Sequence, residues 1–148
     1  MLHIGEQAPE FRLLDQNSEP ISLEQFHGKH VLVYFYPKDD TPGCTKEACA
    51  LRDAYNDFKA LGVTVIGISK DTPESHQQFA KKYELPFILL SDPQKKTISD
   101  YHAKGGLFTR RISYLIDGDG KIVKAYPKVD PAAHAGAILQ DLMHILKR

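Results

Sequence analysis

The feature that most limits the folds open to this chain is a dipeptide that recurs along its length. A residue able to cap a helix is followed directly by proline at Thr41-Pro42, Thr72-Pro73, Asp92-Pro93 and Asp130-Pro131. The side-chain oxygen of the first residue can accept from free backbone amides, and proline suits the first helical position because its missing N–H is not needed there. Each pair therefore predicts the start of a helix.

Helical periodicity follows every one of these pairs. It predicts helices over residues 42–61, 73–83, 93–101 and 131–147. Gly62 supplies a stop for the first of them, since glycine readily adopts the left-handed conformation that ends many helices.

Runs typical of strands lie between these helices. VLVYFY (31–36) and VTVIGIS (63–69) are apolar nearly throughout, as in strands that are buried on both faces, and FILL (87–90) is a shorter run. ISYLI (112–116) and KIVKAY (121–126) flank Asp-Gly-Asp-Gly, which is a strong hairpin signal. Residues 10–25 predict a small hairpin and one turn of helix, because Ser22 and Gln25 have the spacing of a capping box.

The order of these elements indicates the fold class. Strands joined by helices come first, and an antiparallel hairpin with a closing helix comes last, which predicts an α/β fold with a mixed central sheet flanked by helices. This arrangement resembles the thioredoxin fold, with an N-terminal hairpin and a middle insertion added. The sequence has no internal repeat and no linker-like change in composition, so residues 1–148 are expected to form a single domain.

Charge and hydropathy exclude several classes of partner. Lys plus Arg equals Asp plus Glu, at 19 each, so the chain lacks the basic excess that nucleic-acid binding needs. No apolar run approaches the roughly 20 residues that span a bilayer, and the N-terminal MLHIGEQAPEF lacks the features of a signal peptide. We therefore expect a cytoplasmic protein, in a compartment where a pair of cysteines is more often catalytic or sensing than structural.

The chemistry is expected to centre on Cys44. If Thr41 caps the helix, Cys44 falls in its first turn, directly after a buried strand, where free amides and the helix dipole favour a thiolate over a thiol. Gly43 carries no side chain, so a small substrate could approach the sulfur. The alternative is that Cys44 is merely a small apolar residue beneath a helix.

The five-residue separation of Cys44 and Cys49 limits how the two can form a disulfide. On a continuous helix, five residues advance about 7.5 Å and turn about 140°, so the two Cα atoms lie roughly 8–9 Å apart, beyond the limit of about 7 Å for a disulfide. If the two cysteines react with each other, the first turns of the helix must unwind, and the disulfide would be labile. The alternative is an inert Cys49 within the helix.

Two other groups of residues bear on the site. A zinc site is disfavoured, because two cysteines supply at most half of a tetrahedral ligand set and none of the seven histidines clusters with them in the sequence. Most of those histidines are interpreted as ordinary surface or partly buried residues. Arg110 and Arg111 open a strand and must point to opposite faces, so one of them could reach the thiolate.

At this point the sequence resembles a known family. Pro37-x-x-x-Thr41-x-x-Cys44 resembles the active-site signature of the peroxiredoxins, and YFYPKDDTPGCTKEAC resembles their bacterioferritin-comigratory-protein (Q-type) subfamily. Arg111 to Asp117 is similar to the arginine-containing strand of that subfamily, and this register selects Arg111 over Arg110. The likeness covers nearly the whole chain. The segment His102 to Arg110 is shorter than in many relatives, which affects the outer wall of the substrate pocket.

The resemblance implies roles for these residues. Cys44 would be peroxidatic and Cys49 resolving, Thr41 would hydrogen-bond the sulfur and the peroxide, Pro37 would shield the thiolate from water, and Arg111 would complete the pocket. Glu47, one turn from Cys44, would support the site rather than act in catalysis. Thioredoxin or a similar dithiol would reduce the Cys44–Cys49 disulfide, and no metal, flavin or haem would be required. A monomer is expected, because an intramolecular resolving cysteine removes the need for a partner subunit.

Two other functions are compatible with the same cysteines. One is a thiol–disulfide oxidoreductase that acts on proteins, although such enzymes normally carry cysteines two residues apart. The other is a non-enzymatic redox switch or holdase-like protein. Steady-state peroxide consumption with a reductant would separate the peroxidase from both.

Overall fold

The computed structural model describes residues 1–146. Its strands are β1 (Arg12–Leu14), β2 (Pro20–Ser22), β3 (His30–Phe35), β4 (Val63–Ser69), β5 (Ile88–Ser91), β6 (Ile112–Ile116) and β7 (Ile122–Tyr126). They form one sheet in the order β2-β1-β5-β4-β3-β6-β7, in which β3, β4 and β5 are parallel to one another. The outer strands pair antiparallel. The mixed sheet is therefore confirmed, and the N-terminal hairpin extends its edge beyond β5.

The central strand β3 is buried on both faces, as its apolar sequence predicts. Alternate side chains belong to two separate core clusters, since successive residues of a strand point to opposite faces. Val31, Val33 and Phe35 lie in one cluster, and Leu32, Tyr34 and Tyr36 lie in the other. The second cluster also contains Cys44, so the sulfur lies on the same face of the sheet as Tyr34.

The helices lie on both faces of the sheet. They are α1 (Pro42–Asp53), α2 (Tyr55–Ala60), α3 (Pro73–Tyr83), α4 (Lys96–Asp100) and α5 (His134–Leu146), with a 3-10 turn at Leu23–Phe26. Residues of α1, α2, α3 and α5 pack in the cluster that contains Cys44, and Ile98 of α4 packs in the other. No helix among residues 1–146 is long and apolar enough to cross a membrane.

The helix boundaries depart from the sequence prediction in three places. The expected helix 42–61 breaks at Ala54, whose φ of −93° and ψ of 2° are those of a turn, although no glycine or proline marks the break. α4 and α5 begin at Lys96 and His134, three residues later than predicted. The last residue of the expected helix 131–147 lies outside the described residues.

The two late starts share a physical reason. Both follow Asp-Pro pairs, and in both the backbone carbonyl of the aspartate closes a turn before the helix, accepting from the amide three residues on at 3.0 Å (Asp92) and 3.2 Å (Asp130). The carboxylate of Asp130 also accepts from the amide of Ala132 at 3.1 Å, within the turn. The carboxylate of Asp92 accepts from the amide of Ile98 at 2.8 Å, in the first turn of α4. Thr72, in contrast, caps α3 directly by accepting from the amide of Ser75 at 3.1 Å.

Candidate active site

Cys44 occupies the third position of α1, at the carboxyl end of β3. Thr41 precedes the helix with extended backbone dihedrals, φ −99° and ψ 156°, and Pro42 is the first helical residue, as the sequence predicts. The Thr41 hydroxyl, however, makes no capping bond to α1; it donates to the carbonyl of Lys38 at 2.9 Å. The Thr41 side chain therefore leaves the free amides of the first helical turn, in which Cys44 lies, without a cap.

Arg111 reaches the sulfur from the neighbouring strand. β6 runs antiparallel to β3 with Ile112 opposite Phe35, so the residue before β6 lies beside the carboxyl end of β3. The Nη2 atom of Arg111 lies 3.3 Å from Sγ of Cys44, whose side chain is 2% exposed. Arg110 points to solvent and donates to the carbonyl of His102. The structure thus brings Arg111, and not Arg110, to the thiol.

Glu47 lies against the other end of the same guanidinium. Its Oε1 accepts from Nη1 of Arg111 at 2.9 Å, while its Oε2 has no hydrogen-bond partner among the described residues. The side chain is 1% exposed. Burial raises the pKa of Glu47 to about 7, against the opposing effect of Arg111. A carboxyl group with this pKa gains and loses its proton near neutral pH.

Gly43 has a role that sequence reasoning did not identify. A Cβ atom added at Gly43 would lie 3.0 Å from Nη2 of Arg111 and 4.0 Å from a ring carbon of Pro131. The missing side chain therefore leaves room for the guanidinium itself, in addition to any access it gives to substrate.

The remaining residues named from the sequence lie around this centre. Pro37 and Thr41 are half-buried in the loop that leads from β3 to α1. Cys49 is half-buried on the same helix as Cys44, and both cysteines are free thiols. Because the two share α1, their sulfur atoms cannot meet while the helix is intact.

The short segment before Arg111 folds back on itself. Lys104 and Thr109 form an antiparallel bridge, and Leu107 and Phe108 at the tip are 84% and 68% exposed. The tip therefore points into solvent.

A buried hydrogen-bond cluster anchors the loop before α1, and sequence reasoning missed it. The Asp39 carboxylate accepts from Tyr36 Oη at 2.6 Å and from Ser75 Oγ at 2.8 Å, and it lies 2.7 Å from Nδ1 of His76. Nε2 of His76 lies 3.0 Å from the carbonyl oxygen of Leu90, which can only accept. His76 therefore donates from Nε2, and one proton lies between Nδ1 and Asp39.

Asp71 extends the same cluster. Its Oδ2 accepts from the amide of Asp39 at 2.8 Å and from Ser69 Oγ at 2.7 Å. One ligand atom from each of Asp39, Asp71 and His76 lies within 4.8 Å of the others, but these atoms already have hydrogen-bond partners. The cluster is thus a structural tie between the β3–α1 loop and α3. Its signal in the sequence is that Ser69 ends, and Asp71 closely follows, an apolar strand parallel to β3, so both lie at the same sheet edge as the β3–α1 loop.

Two of the seven histidines depart from the general interpretation as surface or partly buried residues. His76 and His134 are buried, at 0% and 5% exposure. Nε2 of His134 lies 2.9 Å from Ser113 Oγ, and burial lowers the pKa of His134 to about 4. Both residues lie on helices that pack on the same face of the sheet as Cys44.

Known proteins resemble this chain over nearly its whole length. A family profile described as the AhpC/TSA family matches residues 4–125. The chain is 46% identical to "Peroxiredoxin Q, chloroplastic" of Sedum lineare, covering 95% of this chain and 78% of the relative. It is 42% identical to "Putative peroxiredoxin bcp" of Coxiella burnetii, covering 93% and 97%.

Solved structures agree with these relatives. The crystal structure of peroxidoxin BcpB from Mycobacterium tuberculosis superposes with a TM-score of 0.91 at 32% identity, covering 98% of this chain and 99% of the other. The bacterioferritin comigratory protein of Xanthomonas campestris superposes with a TM-score of 0.87 at 29% identity, covering 91% of each. The thioredoxin-like fold is therefore confirmed. The family match and these relatives show that the chain belongs to the AhpC/TSA family and is a thiol-dependent peroxidase of the peroxiredoxin Q and bcp kind.

Proposed function

We propose that Cys44 is the peroxidatic cysteine. Its thiolate attacks one peroxide oxygen, the O–O bond breaks, and the sulfur becomes a sulfenic acid as water or an alcohol leaves. Arg111 and the free amides at the start of α1 stabilise the charge that moves along the O–O axis. The observation that carries this proposal is the 3.3 Å contact between Nη2 of Arg111 and the buried sulfur.

Thr41 and Pro37 complete the proposed pocket. The Thr41 hydroxyl donates its proton to the carbonyl of Lys38, so its oxygen stays available to accept from the O–H of a bound peroxide. Pro37 is half-buried and has no N–H, and it shields the thiolate from water. Gly43 leaves space for the guanidinium, and Glu47 holds the far side of it.

Cys49 is proposed as the resolving cysteine. It condenses with the sulfenic acid of Cys44, water leaves, and a disulfide forms after the start of α1 unwinds. Two observations support this role: Cys49 lies on the same helix as Cys44, and it is half-buried, so local unfolding can bring it to the sulfenic acid.

The reaction partners follow from this scheme. Peroxides are the substrates and a thiol is the reductant; we propose that hydrogen peroxide and organic hydroperoxides are both accepted and that thioredoxin is the dithiol. The Xanthomonas campestris relative is described by its alkyl peroxide reduction activity, which supports organic hydroperoxides as substrates. A monomer, a single domain over residues 1–148 and a cytoplasmic location belong to the same proposal. The location is tested by cell fractionation, and the monomer by light scattering of both redox forms.

The two cysteines provide matched variants for the central test. Peroxide loss is followed with excess thioredoxin, its reductase and NADPH. Cys44→Ser is expected to lose turnover entirely, because a hydroxyl at this position stays protonated and is a poor nucleophile. Turnover within a few-fold of wild type in this variant would refute the assignment.

Cys49→Ser separates resolution from peroxide reduction. This variant is expected to react once and stall, with one added oxygen on Cys44 by mass spectrometry and no internal disulfide. Full thioredoxin-dependent turnover would show that Cys49 does not resolve. A protein oxidoreductase or a redox switch would instead form the disulfide without sustained peroxide consumption in the wild type.

A further inference from the structure

Three ionisable side chains meet in the buried site, and one of them is a cation. Nη2 of Arg111 lies 3.3 Å from the Cys44 sulfur, and Nη1 lies 2.9 Å from Oε1 of Glu47. The guanidinium therefore serves both acidic groups at once, through the two ends of its planar fork. Cys44 and Glu47 are 2% and 1% exposed, so water screens neither of them.

We propose that Cys44 and Glu47 share a single proton across Arg111. Glu47 holds this proton while Cys44 is a thiolate, and it releases the proton when Cys44 is oxidised. The inference rests on the proposed peroxidatic role of Cys44 and adds the source of the proton that the reaction consumes.

The charge count at the site favours this arrangement. A thiolate and a carboxylate on one guanidinium would leave a net negative charge in a buried place, which is costly because the low-dielectric interior solvates charge poorly. With a thiolate at Cys44 and a protonated Glu47, the net charge of the site is zero. Oε2 of Glu47 has no hydrogen-bond partner among residues 1–146, and this also favours the protonated form, since a carboxylate there would lack donors for its second oxygen.

Among the residues that the structure describes, the ionisable groups on the neighbouring elements add no positive charge that would balance both Cys44 and Glu47. Tyr34 of β3 stays neutral, because burial, and next the charge of Glu47, raise the pKa of its hydroxyl well above the usual value. His134 of α5 stays neutral near pH 7, because burial lowers its pKa to about 4. In the loop before α1, the Asp39 carboxylate is paired with His76. Within residues 1–146, Arg111, directly before β6, is thus the cation that faces both acids.

The chemical step then balances without a change in the charge of the site. The thiolate attacks one oxygen of the hydroperoxide, the S–O bond forms, the O–O bond breaks, and two electrons pass from sulfur to the peroxide. The leaving alkoxide or hydroxide is neutralised by the proton that Glu47 gives up. The products are a neutral sulfenic acid, an alcohol or water, and a Glu47 carboxylate, which is then the one anion paired with Arg111 in the site.

The test uses the Cys49→Ser protein, in which the reaction stops at the sulfenic acid. One equivalent of hydrogen peroxide is added near neutral pH, and infrared difference spectra are recorded. We expect a protonated carboxyl band to disappear and a carboxylate band to appear, with both shifted by 13C-glutamate labelling. The change should vanish when Glu47→Gln is added and persist when Glu74→Gln, an exposed acid of α3, is added instead.

Proton uptake from weakly buffered solution gives a second readout. With Glu47 present, the reaction should take up almost no proton from the solvent, whereas the Glu47→Gln protein should take up one proton for each sulfenic acid formed. If Glu47 had only a structural role, the number of protons taken up for each sulfenic acid would be the same in the protein with Glu47 and in the Glu47→Gln protein.

The outcomes separate this inference from the proposed function. If mass spectrometry finds no oxygen added to Cys44, the peroxidatic role itself fails. If the oxygen is added without loss of a glutamic acid band, proton sharing is overturned while the peroxidatic role stands. The labelled Cys49→Ser protein decides this even if Glu47→Gln does not fold.

Discussion

The reactivity proposed for Cys44 depends on a small number of residues that contact Cys44 or contact Arg111 beside it. Arg111 contacts the sulfur and Glu47, and Gly43 leaves the space that the guanidinium occupies. The site is therefore sensitive to changes that move one guanidinium by less than an ångström, because electrostatic stabilisation of a transition state needs donors in place before the reaction.

Replacing Arg111 should impair both the thiolate and its reaction. Arg111→Ala removes the positive charge beside the sulfur, so we expect a smaller thiolate fraction near neutral pH and a loss of about 10²–10³ in the rate of peroxide reduction. The pH dependence of alkylation and stopped-flow kinetics measure the two effects. Arg110→Ala is the matched control, since that neighbour is exposed and should behave as wild type. Equal effects from the two variants would remove Arg111 from the site.

Adding a methyl group at Gly43 should act through Arg111. The Cβ of Gly43→Ala would lie 3.0 Å from Nη2, so the guanidinium must shift and its bond to the sulfur should lengthen. We expect the rate of sulfenic acid formation to fall by about tenfold, which corresponds to about 1.4 kcal/mol of lost transition-state stabilisation. Gly136→Ala on α5 is the control, because a Cβ there meets open space. A rate unchanged from that control would mean that the close approach has no consequence.

At the scale of elements, the proposed resolution by Cys49 requires an α1 that is stable enough to position Cys44 and able to unwind locally. Its buried face carries Ala48 and Leu51, and Arg52 near its end donates to the carbonyl of Tyr83 at 2.8 Å. At its start, Asp40 binds Lys82 and Tyr83 on α3, at 2.8 and 2.7 Å. These contacts fasten both ends of α1 to α3, whereas the proposed resolution step requires the first turns of α1 to unwind so that Cys49 can reach Cys44.

Hydrogen exchange should detect this unwinding. Since Cys44 and Cys49 cannot join on an intact helix, amides of residues 42–52 should exchange faster in the disulfide form than in the dithiol form. Strands β3 and β4 should change little, because the sheet need not open. The Cys49→Ser protein treated with peroxide is the control, since it carries a sulfenic acid but no cross-link. Identical exchange across residues 42–52 in both redox states would contradict intramolecular resolution on this helix.

At the scale of the whole molecule, two buried groups give the stability opposite dependences on pH. The pKa of His134 is lowered from 6.5 to about 4, so the folded state binds fewer protons than the unfolded state in that interval, and stability is lost as the pH falls through it. The pKa of Glu47 is raised from 4.5 to about 7, so the folded state binds more protons there, and stability is lost as the pH rises. The two effects oppose each other between pH 4.5 and 6.5.

Removing His134 should expose the effect of Glu47. In His134→Gln the loss of stability at low pH disappears, so the free energy of unfolding should decline more steeply than in wild type as the pH rises from about 4.5 to about 7. The difference between the two proteins across this range should be about 1–3 kcal/mol, since one pKa unit corresponds to about 1.4 kcal/mol. Urea unfolding at several pH values measures it, and His102→Gln at an exposed position is the control. Parallel curves for wild type and His134→Gln would disprove the contribution.

The sequence by itself determined the order of the elements and most of the elements themselves, but not the break between α1 and α2 at Ala54. β3 and β4 follow from apolar runs, α1 and α3 from threonine–proline pairs, and the left-handed Gly62, with a φ of 74°, from its place after a helix. These features depend on residues within a few positions of one another, so local patterns suffice to predict them. The placement of Cys44 in the first turn of α1 belongs to the same class.

Tertiary structure alone decided which distant groups surround the sulfur. Arg111 lies 67 positions from Cys44 and meets it because β6 pairs with β3 in one register, and the Asp39–His76 contact joins residues 37 positions apart. The burial that raises the pKa of Glu47 and lowers that of His134 likewise comes from packing of several elements together. A linear pattern records which residues are present, whereas contacts between distant residues, and the desolvation they cause, exist only after the chain has folded.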